Sequence, residues 1–192
     1  RFQREVTGIA PGLATLAYGS RLKASRIICT LPLGVLAGGN VRFAEPLAPA
    51  RLKAIETLGI GLLNKCILKF EKPHWPEGPD WIGWLGETPG LWGEWVSLSP
   101  NLGMPVLVGF NAGDEAAAIE NLSDRDTVAS AHAALKAMFG TYFPAPDSAQ
   151  ITRWGKDRFS LGSYSFNAVG TNGQTRRALS GADWEGGLWF AG

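Results

Sequence analysis

Glycine and proline interrupt this chain so often that most of its strands have to be short. There are 25 Gly and 12 Pro among 192 residues. In the opening third, Pro11, Gly12, Gly19 and Ser20 separate β-rich runs at Val6 to Ile9, Ala14 to Tyr18 and Arg21 to Thr30. That spacing predicts a three-stranded meander. Ile27, Ile28 and Cys29 are continuously apolar, as in a strand covered on both faces. Pro32 ends the ladder because it has no N–H to donate.

Between Pro46 and Leu58 the pattern changes. Leu47, Leu52, Ile55 and Leu58 recur near helical spacing, and Pro49 falls in the first turn, where a missing N–H does little harm. Gly59 and Gly61 stop this helix. Leu62 to Phe70 then alternates as a strand, with Trp81 to Leu85, Trp92 to Leu98 and Val106 to Phe110 as expected antiparallel partners. A helical region over Gly113 to Asn121 precedes the clearest helix, which Ser123 or Asp124 caps and Gly140 ends, with Val128, Leu135, Met138 and Phe139 within it. Pro144 and Pro146 form a linker, Gln150 to Trp154 a strand, Phe159 to Gly173 a Gly- and Ser-rich loop, and Leu188 to Phe190 a last strand. The fold class is therefore α+β, a mixed and largely antiparallel sheet packed with helices.

A 45% hydrophobic content over this length suits one domain, or one domain with parts of a neighbour. Eighteen basic and 17 acidic residues leave a net charge of +1, so no long-range field of one sign favours nucleic acid or an anionic membrane as partner. Cys29 and Cys66 sit in apolar runs, which predicts buried reduced thiols rather than a disulfide framework or a metal site. No apolar run reaches the ~20 residues of a membrane span, and Arg1 to Ile9 lacks a signal-peptide pattern. A soluble, cytoplasmic chain is expected. It opens on Arg1 and stops on the apolar strand Leu188 to Phe190 followed by Ala191 and Gly192, so it is expected to be a piece of a longer protein.

Side chains alone supply no obvious reaction. His74 and His132 lie far apart, and neither a Gly-x-Ser-x-Gly elbow nor a P-loop occurs. Asp183, Trp184 and Glu185 interrupt the glycines from Gly181 to Gly187, against a phosphate cradle. An enzyme with this sequence would draw its chemistry from a cofactor. Of the eight tryptophans, Trp75, Trp81, Trp84, Trp92 and Trp95 share one stretch. Core packing is the expected role for most of them, the alternative being an aromatic wall for an apolar or cationic ligand.

Several separated motifs occur in a telling order: Ile27 to Leu36, containing Thr30, Leu31, Pro32, Leu33 and Gly34; Phe43 to Pro46; Gly59 to Phe70, containing Asn64 and Lys65; Trp75; Trp154, Asp157 and Phe159; Gly162 to Ser165; and Phe190 to Gly192. Together they resemble the C-terminal part of the flavin-containing, FAD-dependent amine oxidases, such as the polyamine oxidases and LSD-type histone demethylases. The resemblance implies a partial FAD-binding domain in residues 1–33 (the β-meander), a substrate-binding domain in 34–153, and a truncated return to the FAD-binding domain in 154–192.

It also implies FAD as cofactor and roles for particular residues. Lys65 would be catalytic, holding a water against flavin N5, a role suited to an amine among apolar neighbours. Val6, Thr30, Leu31, Pro32, Trp154, Phe159, Ser163 and Gly192 would contact FAD, and Tyr164 would flank the substrate amine. The residues by themselves leave blander roles open: an outward strand lysine like Lys69, core packing for Trp154 and Phe159, a strand tyrosine with its hydroxyl bonded, an ordinary strand end at Thr30 to Pro32. Arg153 and Asp157 read as a local ion pair.

The implied reaction is oxidation of a C–N bond in a polyamine or monoamine by hydride transfer to flavin, with imine hydrolysis and release of hydrogen peroxide. Its partners would be the small amine, O2 and the rest of the flavoprotein, with no nucleic acid and no membrane. The Gly-x-Gly-x-x-Gly turn that binds the FAD pyrophosphate occurs nowhere here, so the chain alone is expected to bind FAD poorly and to be inactive. Alternatives are a fragment of an L-amino-acid oxidase, in which Arg153, Arg158, Arg176 or Arg177 would bind the carboxylate, or of a flavin desaturase, and a non-catalytic binding module.

Overall fold

Antiparallel pairing joins β1 (Val6–Ala10) and β2 (Leu13–Leu16) across Pro11 and Gly12, and β3 (Arg21–Lys23) pairs with β2. This is the opening meander in a computed structural model that describes residues 3–191. The third run is not one strand, however. Exposed Ala24 to Arg26 break it, and β4 (Ile27–Cys29) leaves for another sheet. Directly after Pro32 the chain forms a short helix, α1 (Leu33–Ala37), then β5 (Arg42–Phe43), which pairs in parallel with β1. Helix α2 (Pro49–Thr57) starts at its proline as expected. Its buried face differs from the expectation: Leu52 is 49% exposed, whereas Arg51 is 3% exposed. β6 (Gly59–Gly61) follows.

The chain divides by contacts into two compact units, Arg1–Ile60 with Arg158–Gly192, and Gly61–Asp157. The second is built on β7 (Leu63–Lys69), whose Asn64, Cys66 and Leu68 are buried and alternate with half-buried Lys65 and Ile67. That alternation places Lys65 on the face opposite the core. β8 (Trp81–Gly83), β9 (Glu94–Ser97), the short helix α3 (Ser99–Leu102) and β10 (Val106–Ala112) come next. Helices α4 (Gly113–Ile119) and α5 (Asp124–Phe139) precede β11 (Ser148–Ile151). The strand order is β11-β7-β10-β9-β8, so β11 extends the expected four-stranded antiparallel sheet to five. Ser123 caps α5 by accepting from the Asp126 N–H at 3.1 Å, and Gly140 ends it.

The core of this unit gathers Cys66, Leu68, Phe70, Leu107 and Leu135 with Trp75, Trp92 and Trp95. Burying each of the aliphatic residues contributes about 1.5–3 kcal/mol. Trp84 is half-buried against the same core. Trp81 is the exception at 57% exposed, its ring stacked on Phe110 with centroids 5.9 Å apart.

The first unit resumes with β12 (Tyr164–Phe166), which pairs with β6, and α6 (Gly173–Arg177). Asn172 and Thr175 form a capping box at the start of α6. β13 (Gly181–Asp183) and β14 (Leu188–Phe190) follow, and β14 lies antiparallel to β13 and parallel to β4. In that parallel pair Cys29, Leu188 and Phe190 are buried but Ile28 is 69% exposed, so β4 is covered on one face rather than two. Its partner across the ladder, Trp189, is 44% exposed.

Candidate functional site

In the second unit Lys65 lies opposite Phe110 in the β7–β10 ladder, and its Nζ sits 5.6 Å from the centroid of that ring. Lys65 makes no ion pair among the described residues. Its backbone is tied at both ends: the N–H donates to Thr152 Oγ at 2.8 Å, and the carbonyl accepts from the Thr152 N–H at 3.0 Å. Two residues on, half-buried Trp154 donates its N–H to Asn64 Oδ1 at 3.0 Å. Asn64 and Thr152 therefore tie the backbone at Trp154 to the strand that carries Lys65.

Both ends of the Asn64 amide are engaged. Its Oδ1 also accepts from the Thr152 hydroxyl at 3.3 Å, and its Nδ2 donates to Glu120 Oε1 at 2.6 Å. Glu120, 5% exposed at the end of α4, accepts the Gly155 N–H on the same oxygen at 2.8 Å. Sequence reading missed Glu120 and Thr152. Nothing near either in the sequence marks them, because their partners are distant along the chain.

In the first unit, Val6 and Leu31 pack against one core formed by Ile9, Cys29, Val35, Val41, Leu47, Leu188 and Phe190. Thr30 and Pro32 are exposed on either side of Leu31. Gly34 follows closely, and a Cβ there would meet the Leu161 carbonyl oxygen at 2.3 Å. Only glycine permits so close an approach, which lays the backbone at 160–161 against the start of α1. Phe159 is 58% exposed beneath the Arg158 guanidinium, 5.2 Å from the ring centroid. Ser163 is half-buried, and Tyr164 is 49% exposed with its ring 6.4 Å from Phe166. Gly192 lies outside the described residues.

The four arginines weighed for a carboxylate are all engaged. Arg153 pairs with Asp124 at 2.6 Å, and its carbonyl accepts the Asp157 N–H at 3.0 Å. Arg158 pairs with Glu5, Arg176 donates to Ser165 and Asn167, and Arg177 to the Gly173 carbonyl. Both cysteines are free and buried, and burial pushes the Cys66 thiol up to about 12 and raises Cys29 as well. Neither is a nucleophile near neutral pH. No helix among the described residues is long and apolar enough to cross a membrane.

A family model described as flavin containing amine oxidoreductase matches residues 1–192. The chain belongs to that family. FAD is the cofactor this membership implies, and the flavin amine oxidase fold is borne out by a solved putrescine oxidase, a triple mutant from a redesign of cofactor binding. It superimposes with a TM-score of 0.74 at 20% identity over 98% of this chain and 42% of that one. Among curated flavin amine oxidase relatives, the lysine-specific histone demethylase 1 homolog 1 of Arabidopsis thaliana is 40% identical over 86% of this chain. The probable polyamine oxidase 4 of the same plant is 37% identical over 79%. The chain spans 20% and 30% of those two proteins.

Proposed function

We propose that this chain serves as part of an FAD-dependent amine oxidase that oxidises the C–N bond of a polyamine or monoamine, and that Lys65 is its catalytic residue. The observation that carries this is the placement of Lys65: half-buried, over Phe110, clamped to Thr152 through its backbone, and on the strand whose Asn64 accepts the Trp154 N–H. In this reading FAD supplies the two-electron acceptor, which oxygen restores with release of hydrogen peroxide, and water hydrolyses the imine product.

In this reading FAD would be held by Val6, Thr30, Leu31, Pro32, Trp154, Phe159, Ser163 and Gly192, with the Trp154 and Phe159 rings as flat apolar surfaces. Residues 1–33 and 154–192 serve the cofactor in this division, and 34–153 the substrate. Lys65 Nζ donates a hydrogen bond that keeps one water oriented. The Tyr164 ring presents a π face to the substrate nitrogen. Apolar, aromatic walls around the amine would disfavour its charged form and so favour the neutral form that can lose hydride. Without a pyrophosphate turn, the 192-residue chain alone holds FAD weakly and turns nothing over. An amino-acid oxidase is less well supported, since all four candidate arginines already have partners.

The test is Lys65→Met in the flavoprotein that contains this chain. Flavin reduction or reoxidation should slow by roughly 10²-fold while the bound-flavin spectrum persists. An unchanged rate would favour the binding-module alternative. Assay of the wild type with a polyamine, a monoamine, a methylated-lysine peptide and an L-amino acid assigns the substrate class.

A further inference from the structure

We infer that Asn64 and Glu120 are positioning residues whose buried hydrogen-bond network sets the placement of Lys65 and Trp154, an inference that rests on the catalytic reading of Lys65. Asn64 and Lys65 are neighbours on β7 with side chains on opposite faces, so whatever fixes Asn64 also fixes the strand from which Lys65 projects. Asn64 is 2% exposed, and each end of its amide has a different duty. The oxygen receives the Trp154 N–H and the Thr152 hydroxyl, while the nitrogen donates to Glu120. Thr152 closes the ring by accepting the Lys65 N–H. An amide is required at position 64, since a carboxylate there would face Glu120 with no proton between them.

Glu120 reaches the other side of the same turn. A Cβ at position 155 would meet Glu120 Oε2 at 2.8 Å and Leu62 Cδ2 at 3.0 Å, so glycine is what lets the carboxylate approach the Gly155 N–H. Lys156 then donates to the Glu120 carbonyl at 2.6 Å and to Asn121 Oδ1 at 3.1 Å, fastening the turn to the end of α4. Apart from the Asn64–Glu120 bond that joins its two halves, every bond in this set ends on residues 152–156. The Lys65 and Trp154 side chains themselves take no part in it, which leaves both free for chemistry.

The experiment uses the flavoprotein containing this chain, with Glu120→Leu, Glu120→Gln and Thr152→Val. Glutamine keeps an acceptor for Asn64 and Gly155 and should stay near wild type. Leucine should speed amide exchange over 152–156 by at least about tenfold, with the rest of the sheet unchanged. It should also lower kcat by about tenfold or more with KM within about twofold. Thr152→Val, which removes one hydroxyl at nearly constant volume, should move both readouts the same way if the leucine variant does not fold. Faster exchange at 152–156 with an unchanged kcat would overturn the positioning role, as would equal losses in the glutamine and leucine variants. Failure of the Lys65 reading shows separately, as an unaffected Lys65→Met rate.

Discussion

Each unit buries a hydrogen-bonded polar centre, Arg51 with Asp183 in the first and Asn64 with Glu120 in the second, and these two are built on opposite principles. In the first, Arg51 meets both oxygens of Asp183, Nε to Oδ2 at 2.9 Å and Nη2 to Oδ1 at 3.1 Å. Its remaining donors reach the carbonyls of Ala178, Leu179 and Ser180, and the guanidinium lies 4.1 Å from the Phe190 ring centroid. In the second, an amide and a carboxylate, Asn64 and Glu120, hold backbone N–H groups of a turn. The charged centre joins helix α2 to strand β13 through a side-chain pair that also gathers the Ala48 N–H and the carbonyls of residues 178–180. The other one disciplines a loop, and that loop carries Trp154.

The difference predicts unequal consequences of removal. The largest is expected for Asp183→Ala, which strands a guanidinium whose side chain is 3% exposed. Breaking such a buried pair costs about 3–5 kcal/mol, read as a lower urea midpoint with early loss of exchange protection in β13 and β14. Asn64→Asp should destabilise the second unit by about 1–3 kcal/mol, by setting a carboxylate against Glu120. Adding Glu120→Gln should recover part of that loss, and no recovery would separate the two side chains energetically.

Acid sharpens the contrast further. Burial by itself raises the Asp183 carboxyl, but hydrogen bonds from Arg51 and the Ala48 N–H, with the Arg51 charge, outweigh it and hold the group below the ordinary carboxylate value. A depressed folded value means the unfolded chain binds the proton more readily. This contribution is therefore complete above about pH 4 and is lost as pH falls through the folded value. Asp183→Asn should flatten the acid limb of first-unit unfolding and leave the second unit's limb where it was.

The smallest effect is expected at Thr127, 0% exposed, whose hydroxyl has no hydrogen-bond partner among the described residues. Thr127→Val should raise the thermal midpoint, by the equivalent of about 1 kcal/mol. A fall would mean the hydroxyl is satisfied after all.

Much of the second unit's architecture could be read from the sequence, for a physical reason. β7 alternates because only one face meets the core, and Ser123 and Gly140 bound α5 through local backbone chemistry. Features that depend on distant partners could not be read. Arg51 looks like an outward helix residue until Asp183 comes back to it, and Leu52 yields the buried side accordingly. The division of Arg21 to Thr30 carries no glycine or proline, so nothing local announces that β4 departs to join β14. α1 is too short to show a period. At the candidate site, Lys65 and Trp154 stood out only through the order of motifs around them. Glu120 and Thr152 did not stand out at all, since an acid after a helix and a threonine after a strand are ordinary by themselves.

Gly34 has a consequence for how this molecule can change over generations. A methyl group on it would run into the backbone of Ser160 and Leu161, so even alanine has nowhere to go. A replacement of the glycine at 34 therefore cannot be absorbed locally. It would have to arrive with a compensating change in a segment encoded far downstream, so those two stretches are inherited as a pair.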